Sequence, residues 1–168
     1  MKKNYQYWVE HLEMTKHPEG GYFKENYANP EHITDQELNV SFEGTRSLAT
    51  SIYFLLTDSE VSKFHRLKSD EMWYFHDGVP LSIYVISPEG KLDIYRLGLD
   101  IEKGEMPQIL VPAGSIFGSC IDNPQTNQYS LVGCMVSFGF QFEDFELFNR
   151  EELVKAYPSH QSIIERLT

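Results

Sequence analysis

The segment KFHRLKSDEMWYFHDG, residues Lys63–Gly78, joins two strand-like patterns and carries a histidine and a carboxylate close together. Alternate side chains of an extended segment share a face, so His65 and Leu67 point to one side of the first strand. After a short turn, Glu71 and Trp73 share a face of the second strand. If the two strands pair, His65 and Glu71 meet above an aromatic floor that includes Trp73. Such a pair suits general acid–base catalysis or metal ligation, because a nearby carboxylate raises the basicity of an imidazole.

The same spacing also fits a simpler surface arrangement. In that arrangement Glu71 forms a salt bridge with Lys63 or Lys68, and His65 is an ordinary strand residue. The spacing alone leaves both arrangements open.

Strand-like segments separated by turn signals continue on both sides of this stretch. The first, RSLATSIYFLL at 46–56, alternates large apolar residues with small or polar ones. The others are VSKFHRL, EMWYFHDG, PLSIYVIS, KLDIYRLGL, PQILVPAG, SIFGSCI and YSLVGCMVSFGFQF. About eight to ten short strands with regular turns predict an antiparallel sandwich or barrel.

Helical patterns occur at the two ends of the chain. Near the N-terminus, apolar residues recur at i, i+3, i+4 and i+7, namely at Tyr5, Trp8, Val9 and Leu12. Near the C-terminus, Asn149 and Glu152 have capping-box spacing, Pro158 ends that helix, and HQSIIERL forms a last short helix. The polar segment 28–45 is predicted to be a long loop. No linker or repeat is visible, so residues 1–168 are predicted to form one domain.

The composition excludes several functional classes. The formal net charge is −11 and no block of Lys and Arg occurs, which argues against nucleic acid and against a basic membrane-binding surface. No apolar run is long enough for a signal peptide or a membrane span. Cys120 and Cys134 lie in strand-like segments and are interpreted as reduced core thiols. We therefore expect a cytoplasmic protein without nucleic-acid or membrane partners.

Two motifs carry a resemblance to a known family. His65-x-Leu67-x3-Glu71-x6-Gly78 resembles the first motif of the cupin superfamily, G-x5-H-x-H-x3,4-E-x6-G. PAG at 112–114, followed by Phe117, is similar to the second motif, P-x-G-x2-H. Further segments resemble, in order, the branch called cupin family 5: HPEGGYF, RSLATSIYFLL, FHRLKSDEMW, LVPAGSIF, LVGCMVSFGFQFEDFEL and REELVKAYP.

The resemblance implies an all-β fold for 1–168, a double-stranded β-helix or cupin jelly-roll barrel with short N- and C-terminal α-helices. The mouth of such a barrel holds the ligand site, and cupins are commonly homodimers. The small residues Ser47, Ala49 and Ser51 make one face of their strand flat, which agrees with a homodimer.

The departures from the cupin motifs bear on the metal. Metal-binding cupins use three histidines and one glutamate, and this chain matches that set only at His65 and Glu71. Leu67 and Phe117 stand where the other two histidines would be. Two protein ligands make a poor site for a divalent cation, so no cofactor is predicted. If a metal binds, its ligands are expected to be His65 and Glu71.

Three functions remain open for the pocket, whose small-molecule ligand is expected to be partly apolar. The first is a metal-independent isomerase or epimerase acting beside a carbonyl of a sugar-like or nucleotide-linked substrate, by resemblance to metal-free cupin epimerases. His65 would be the base, Glu71 its orienting partner, and Trp73 and Phe117 the stacking walls. The second is a non-catalytic binding module. The third is a metal-dependent cupin enzyme.

Other polar residues are candidates for ligand binding beside Leu67. Arg46 and Lys68 could hold an anionic group. A catalytic tyrosine could be Tyr53, Tyr74 or Tyr84, and Tyr53 is included among the ligand-binding candidates. The turn HPEGGYF either docks the N-terminal helix or forms a lid, for which the candidates are His17, Glu19 and Tyr22.

Overall fold

Two six-stranded sheets face each other in the computed structural model, which describes residues 3–34, 42 and 44–168. The first sheet contains, in spatial order, β1 (Thr15–Lys16), β2 (Tyr22–Ala28), β5 (Thr50–Thr57), β13 (Tyr129–Ser137), β7 (Asp70–Gly78) and β11 (Gln108–Val111). The second contains β10 (Glu105–Met106), β9 (Leu92–Leu97), β8 (Leu81–Ile86), β12 (Ile116–Cys120), β6 (Val61–Arg66) and β14 (Glu146–Leu147). This architecture confirms the predicted all-β jelly roll.

The main core lies between the two sheets. Along each strand, apolar side chains that face the core alternate with side chains that face outward, as the two-residue period of a half-buried strand requires. The core residues include Phe54, Leu56, Trp73, Ile83, Phe117 and Val132. Strands distant in sequence are neighbours in each sheet, for β13 lies between β5 and β7, and β12 lies between β8 and β6. The cavity described below opens within this core.

The two strands in Lys63–Gly78 do not pair with each other, so the condition for a direct His65–Glu71 contact is not met. The first, β6, pairs with β12 and β14, whereas the second, β7, pairs with β13 and β11. The chain crosses from one sheet to the other at 67–69, so β6 and β7 face each other across the core. A side-chain period of two fixes the face of each strand but not the sheet to which it belongs.

Short helices occur at both ends, as predicted. Helix α1 (Tyr5–His11) is capped by Asn4, and its apolar face packs on a cluster that includes Leu55 and Leu131. Helices α2 (Arg150–Ala156) and α3 (Gln161–Arg166) cover the outer face of the second sheet. The amide of Glu152 donates to the Asn149 side chain, which confirms the predicted N-cap of α2. No helix within the described ranges is long and apolar enough to span a membrane.

The remaining elements are small. Strands β3 (His32–Thr34) and β4 (Thr45–Ser47) pair with each other. They occupy the two ends of the segment predicted as a long loop, and 35–41 and 43 lie outside the described residues. In the part of the chain that the structure describes, 3-10 turns occur at Ile101–Lys103, Phe142–Asp144 and Pro158–His160.

Candidate acid–base site

A cavity of about 100 Å³ lies between the sheets and is lined by several buried titratable groups. Its mouth is marked by two exposed lining residues, Glu25 and Phe142. Its polar and titratable lining residues are His17, Glu19, Glu25, Thr50, His65, Glu71 and Cys134. The apolar walls are formed by Phe23, Ile52, Phe54, Leu67, Trp73, Val136, Phe140, Phe142 and Phe145. The cavity is therefore a small aromatic chamber that holds carboxyl and imidazole groups.

The HPEGG turn delivers Glu19 to this cavity. The backbone amide of Lys63 donates to the Glu19 carbonyl at 2.9 Å, which ties the turn to β6. Gly20 has φ +118°, and a Cβ placed there would lie 2.0 Å from the Val61 carbonyl oxygen. Only glycine tolerates both the backbone conformation and the approach. The tight contact of this turn with β6 explains why the Glu19 side chain becomes buried.

A β-bulge aims two residues of β6 at the same carboxyl group. Three residue steps of β6, from Ser62 to His65, oppose two steps of β12, from Ser119 to Phe117. Ser62 and His65 would face opposite sides in a regular strand, but the extra residue turns both towards the interior. Gly118 lies at the bulge, where a Cβ would approach the Ser62 carbonyl oxygen to 2.8 Å.

Glu19 is the centre of the polar contacts. The Ser62 hydroxyl donates to Glu19 Oε1 at 2.8 Å, and His65 Nε2 lies 3.3 Å from Glu19 Oε2. His17 Nδ1 lies 3.5 Å from the same Oε2 atom. The carboxyl group thus joins two imidazoles and one hydroxyl.

The contacts of His65 indicate its tautomer when it is neutral. Its Nδ1 lies 2.7 Å from the Lys63 carbonyl oxygen, which is only an acceptor, so Nδ1 carries the proton. The lone pair of Nε2 then faces Glu19 Oε2 at 3.3 Å, where it can accept a hydrogen bond when that carboxyl group is protonated. The Phe117 ring packs against the imidazole with centroids 4.1 Å apart. The neutral His65 imidazole therefore lies beside Glu19 with its acceptor nitrogen towards that carboxyl group.

Glu71 approaches the cavity from the opposite sheet. The Trp73 indole donates to Glu71 Oε2 at 3.0 Å, and the Cys134 thiol interacts with the same carboxyl group. No ion pair or hydrogen bond joins Glu71 to His65, although both residues are fully described. The predicted His65–Glu71 contact is therefore replaced by a His65–Glu19 contact, because β6 and β7 belong to different sheets.

Burial sets the protonation states of these groups. It raises the pKa of Glu19 from 4.5 to about 7. Burial, together with repulsion from Glu19, raises the pKa of Glu71 from 4.5 to about 8. Burial lowers the pKa of His65 from 6.5 to about 4, and it also lowers the pKa of His17. Near neutral pH the site therefore holds neutral imidazoles, a protonated Glu71 and a Glu19 that is close to half ionised.

The structure places some of the other predicted ligand-binding residues at the cavity and some elsewhere. Leu67 and Trp73 line it, and Phe117 lies behind His65. Tyr53 lies on the outer face of β5, where it packs with the cluster under α1. Tyr22 is also outside the lining and contacts Tyr5. Of the three residues considered for a lid, His17 and Glu19 enter the cavity and Tyr22 does not.

Arg46 and Lys68 meet a carboxylate instead of the cavity. Arg46 is buried, and its guanidinium donates to both oxygens of Asp144 at 2.7 and 3.1 Å. Lys68 Nζ lies 3.5 Å from Asp144 Oδ1. Neither cation is among the cavity-lining residues, so the structure does not place them where an enclosed anionic guest would sit.

The donor set does not fit the four-ligand metal site of the cupin motif. Leu67 and Phe117 are buried apolar residues at two of the four positions. His65 directs Nδ1 to a backbone carbonyl and Nε2 to Glu19, and Glu71 is held by Trp73. Within the described ranges, no three His, Cys, Asp or Glu side chains are arranged to hold a metal ion.

Comparisons with known proteins agree with the architecture. The family model Cupin_5, Cupin superfamily (DUF985), matches residues 6–148. Uncharacterized protein YML079W of Saccharomyces cerevisiae is 31% identical over 150 residues, which cover 85% of this chain and 74% of that protein.

Comparisons with solved structures also agree with the architecture. Protein SO0799 from Shewanella oneidensis is 48% identical with a TM-score of 0.87, covering 99% of this chain and 98% of its own. A hypothetical protein from Leishmania major is 35% identical with a TM-score of 0.87, covering 99% of both chains. An oxalate decarboxylase mutant from Bacillus subtilis is 15% identical with a TM-score of 0.53, covering 91% of this chain and 37% of its own, and shares the fold alone. The chain therefore belongs to the Cupin_5 (DUF985) family of the cupin superfamily.

Proposed function

We propose that the cavity binds a small carbonyl compound and moves protons at the carbon beside the carbonyl without a metal, as an isomerase or epimerase does. The observation that carries this proposal is the presence of two buried carboxyl groups and two imidazoles in one cavity of about 100 Å³. Carboxyl groups with pKa values near 7 and 8 are suited to general acid–base work at neutral pH. The volume favours a reacting unit of a few heavy atoms, so a nucleotide-linked substrate would place only its end inside.

The two carboxyl groups take different roles in this proposal. Glu71, protonated at neutral pH, donates a hydrogen bond and then its proton to the carbonyl oxygen. Glu19 in its ionised form removes the proton from the neighbouring carbon, which leaves an enol. Once Glu19 carries that proton, its carboxyl group faces the lone pair of His65 Nε2. Return of a proton from Glu19 to carbon, with the enol proton going back to Glu71, regenerates the carbonyl. Return to either face gives epimerisation, and return from D2O gives exchange.

Exchange with solvent deuterium tests the roles of Glu19 and Glu71. We expect the protein to accelerate loss of the methyl ¹H signal of pyruvamide in D2O, followed by NMR. Glu19→Gln and Glu71→Gln should each slow the catalysed exchange by about 100-fold, because each removes one acid–base group. Glu31→Gln, at an exposed residue before β3, is the matched control and should keep the wild-type rate. Wild-type exchange in both cavity variants would contradict the proposal.

The aromatic walls favour a second candidate, a binding module without catalysis. Phe140, Phe142 and Phe145 surround His17 at the mouth, with ring centroids 5.9–6.5 Å from the imidazole. Such walls enclose a partly apolar guest whether or not it reacts. Native mass spectrometry distinguishes the two functions, since a binding module retains a guest that is released unchanged after long incubation.

We also propose that the protein forms a homodimer through the outer face of the first sheet. Strand register aligns Tyr27, Ser51, Met135, Met72 and Leu110 in one row across that face. Of these, Tyr27, Met135 and Leu110 are exposed large apolar residues, and clusters of this kind mark interaction sites.

Light scattering after size-exclusion chromatography tests the homodimer. We expect the mass of a dimer for the wild type and of a monomer for Met135→Lys, since a buried lysine in the row has no partner. Ile94→Lys, at an exposed apolar residue of the second sheet, should remain dimeric. A monomeric wild type, or a dimeric Met135→Lys, would contradict this assignment.

A further inference from the structure

The charged side chains that face the cavity are all acidic. Glu19, Glu71 and the exposed Glu25 belong to the lining, and no lysine or arginine of the described residues does. The other titratable lining groups are His17, His65 and Cys134, and burial favours the neutral form of each. The cavity therefore offers an enclosed anion no positive partner.

The two cations near the mouth, the buried Arg46 and the exposed Lys68, contact a carboxylate outside the cavity lining. Asp144, which precedes the lining residue Phe145, draws both Arg46 and Lys68 to its carboxylate. Arg46 forms a two-point contact with it, the geometry in which a guanidinium neutralises a carboxylate most completely. The positive charges of Arg46 and Lys68 thus stabilise the turn that ends at Asp144.

Burying an anion in such a chamber is unfavourable for several independent reasons. A charge taken out of water without a counter-ion loses its hydration free energy. The faces of the surrounding aromatic rings are negative, so their quadrupoles add no attraction for an anion. By contrast, the protonated carboxyl groups can donate hydrogen bonds to the oxygen of an uncharged guest. The net charge of −11 further disfavours the approach of anions.

We propose that the substrate of this site is an uncharged small carbonyl compound, and that carboxylates of the same shape are excluded. The binding of such a compound rests on the proposed function, whereas the preference for an uncharged guest rests on the lining charges alone. Ketones, aldehydes and keto-amides of a few heavy atoms belong to the accepted class. Phosphorylated sugars and keto-acids belong to the excluded class where the anionic group must enter the chamber.

Pyruvamide and pyruvate form a matched pair for the test, because they differ only by an amide in place of a carboxylate. Saturation-transfer NMR with the full chain at about pH 6.5 should show binding of pyruvamide at least about tenfold tighter than that of pyruvate. Lactamide and lactate form a second pair and should give the same order. The preference should increase towards about pH 8.5, where both carboxyl groups ionise.

A charge reversal at the cavity mouth provides a variant that tests the preference for an uncharged guest. Glu25 is exposed, so Glu25→Lys is expected to fold and to place a cation beside the chamber. This variant should bind pyruvate about threefold or more tighter than the wild type, with pyruvamide changed by less than about twofold.

The outcomes separate the two proposals. Equal binding of pyruvate and pyruvamide by the wild type overturns the charge preference, and so does the absence of binding by either at about 20 mM. Preferential binding of pyruvamide without methyl exchange supports the charge preference and contradicts the proposed proton transfer. Preferential binding together with exchange supports both.

Discussion

Glu71→Gln is expected to be more stable than the wild type by about 5 kcal/mol at about pH 9 and by about 2 kcal/mol at about pH 6. Glutamine has the shape of the protonated carboxyl group and retains an oxygen that can accept the hydrogen bond from the Trp73 indole. It cannot ionise, so the free-energy penalty of a buried charge never arises. The gain therefore grows above about pH 4.5, where the carboxyl group ionises in the unfolded chain, and levels off above about pH 8, where Glu71 ionises in the folded chain as well.

The direction of this stability change follows from the pKa values of the Glu71 carboxyl group in the folded and the unfolded chain. Burial raises the pKa of Glu71 to about 8 in the folded chain, above the ordinary value of 4.5 that holds in the unfolded chain. A group with a raised folded pKa contributes its full stabilisation below the unfolded value. That contribution is lost as the pH rises from about 4.5 through about 8. Glu19, whose pKa burial raises to about 7, loses its own contribution over a similar range.

Urea unfolding at the two pH values measures the effect as a difference between proteins. Glu31→Gln, the exposed control, should follow the wild type at both pH values. Glu19→Gln should share the gain at the higher pH but lose part of it, because Ser62 and His65 are both oriented towards that carboxyl group. If Glu71→Gln lost stability between about pH 6 and 9 as steeply as the wild type, the buried-carboxyl interpretation would be wrong.

The strands and terminal helices could be predicted from the sequence because each leaves a local pattern. Alternation places Ile52 and Phe54 in the core and Tyr53 outside it, and the structure has this arrangement. The i, i+3, i+4 spacing of Trp8, Val9 and Leu12 gives the apolar face of α1. These patterns depend only on the geometry of one element, so they survive without knowledge of the partners.

The composition of the site could be predicted only in part, because its contacts join distant segments. Glu19 meets Ser62 over 43 positions, and the only local signal is an acidic residue before two glycines. The bulge in β6 reverses the face of Ser62 relative to His65, which no alternation rule anticipates. Pairing His65 with Glu71 failed for a related reason, since spacing cannot say that the chain changes sheets between them.

The same limit applies to Arg46, whose partner Asp144 lies 98 positions away. An arginine at the start of a strand pattern has the chemistry of an anion ligand, and its sequence neighbours do not reveal a buried carboxylate. The structure makes it a part of the fold, and that role leads to a prediction of large effect.

Arg46→Met is expected to lower the free energy of unfolding by about 3 to 5 kcal/mol. The substitution keeps much of the buried side-chain volume but leaves the Asp144 carboxylate, which is itself buried, without its two-point partner. The turn that Asp144 ends, Phe142–Asp144, carries Phe142 at the cavity mouth and leads into Phe145. We therefore expect weaker binding of pyruvamide together with the loss of stability.

Two companion variants separate the buried pair from a general loss of positive charge, and chemical unfolding at about pH 7 measures all of them. Lys68→Met removes the other cation near Asp144, but its side chain is 45% exposed, so the loss should stay below about 1 kcal/mol. The double variant Arg46→Met, Asp144→Leu should recover most of the stability, because it removes both buried charges together. An Arg46→Met protein as stable as Lys68→Met would show that the pair contributes little. Recovery in the double variant, in contrast, identifies the unpaired Asp144 carboxylate as the source of the destabilisation.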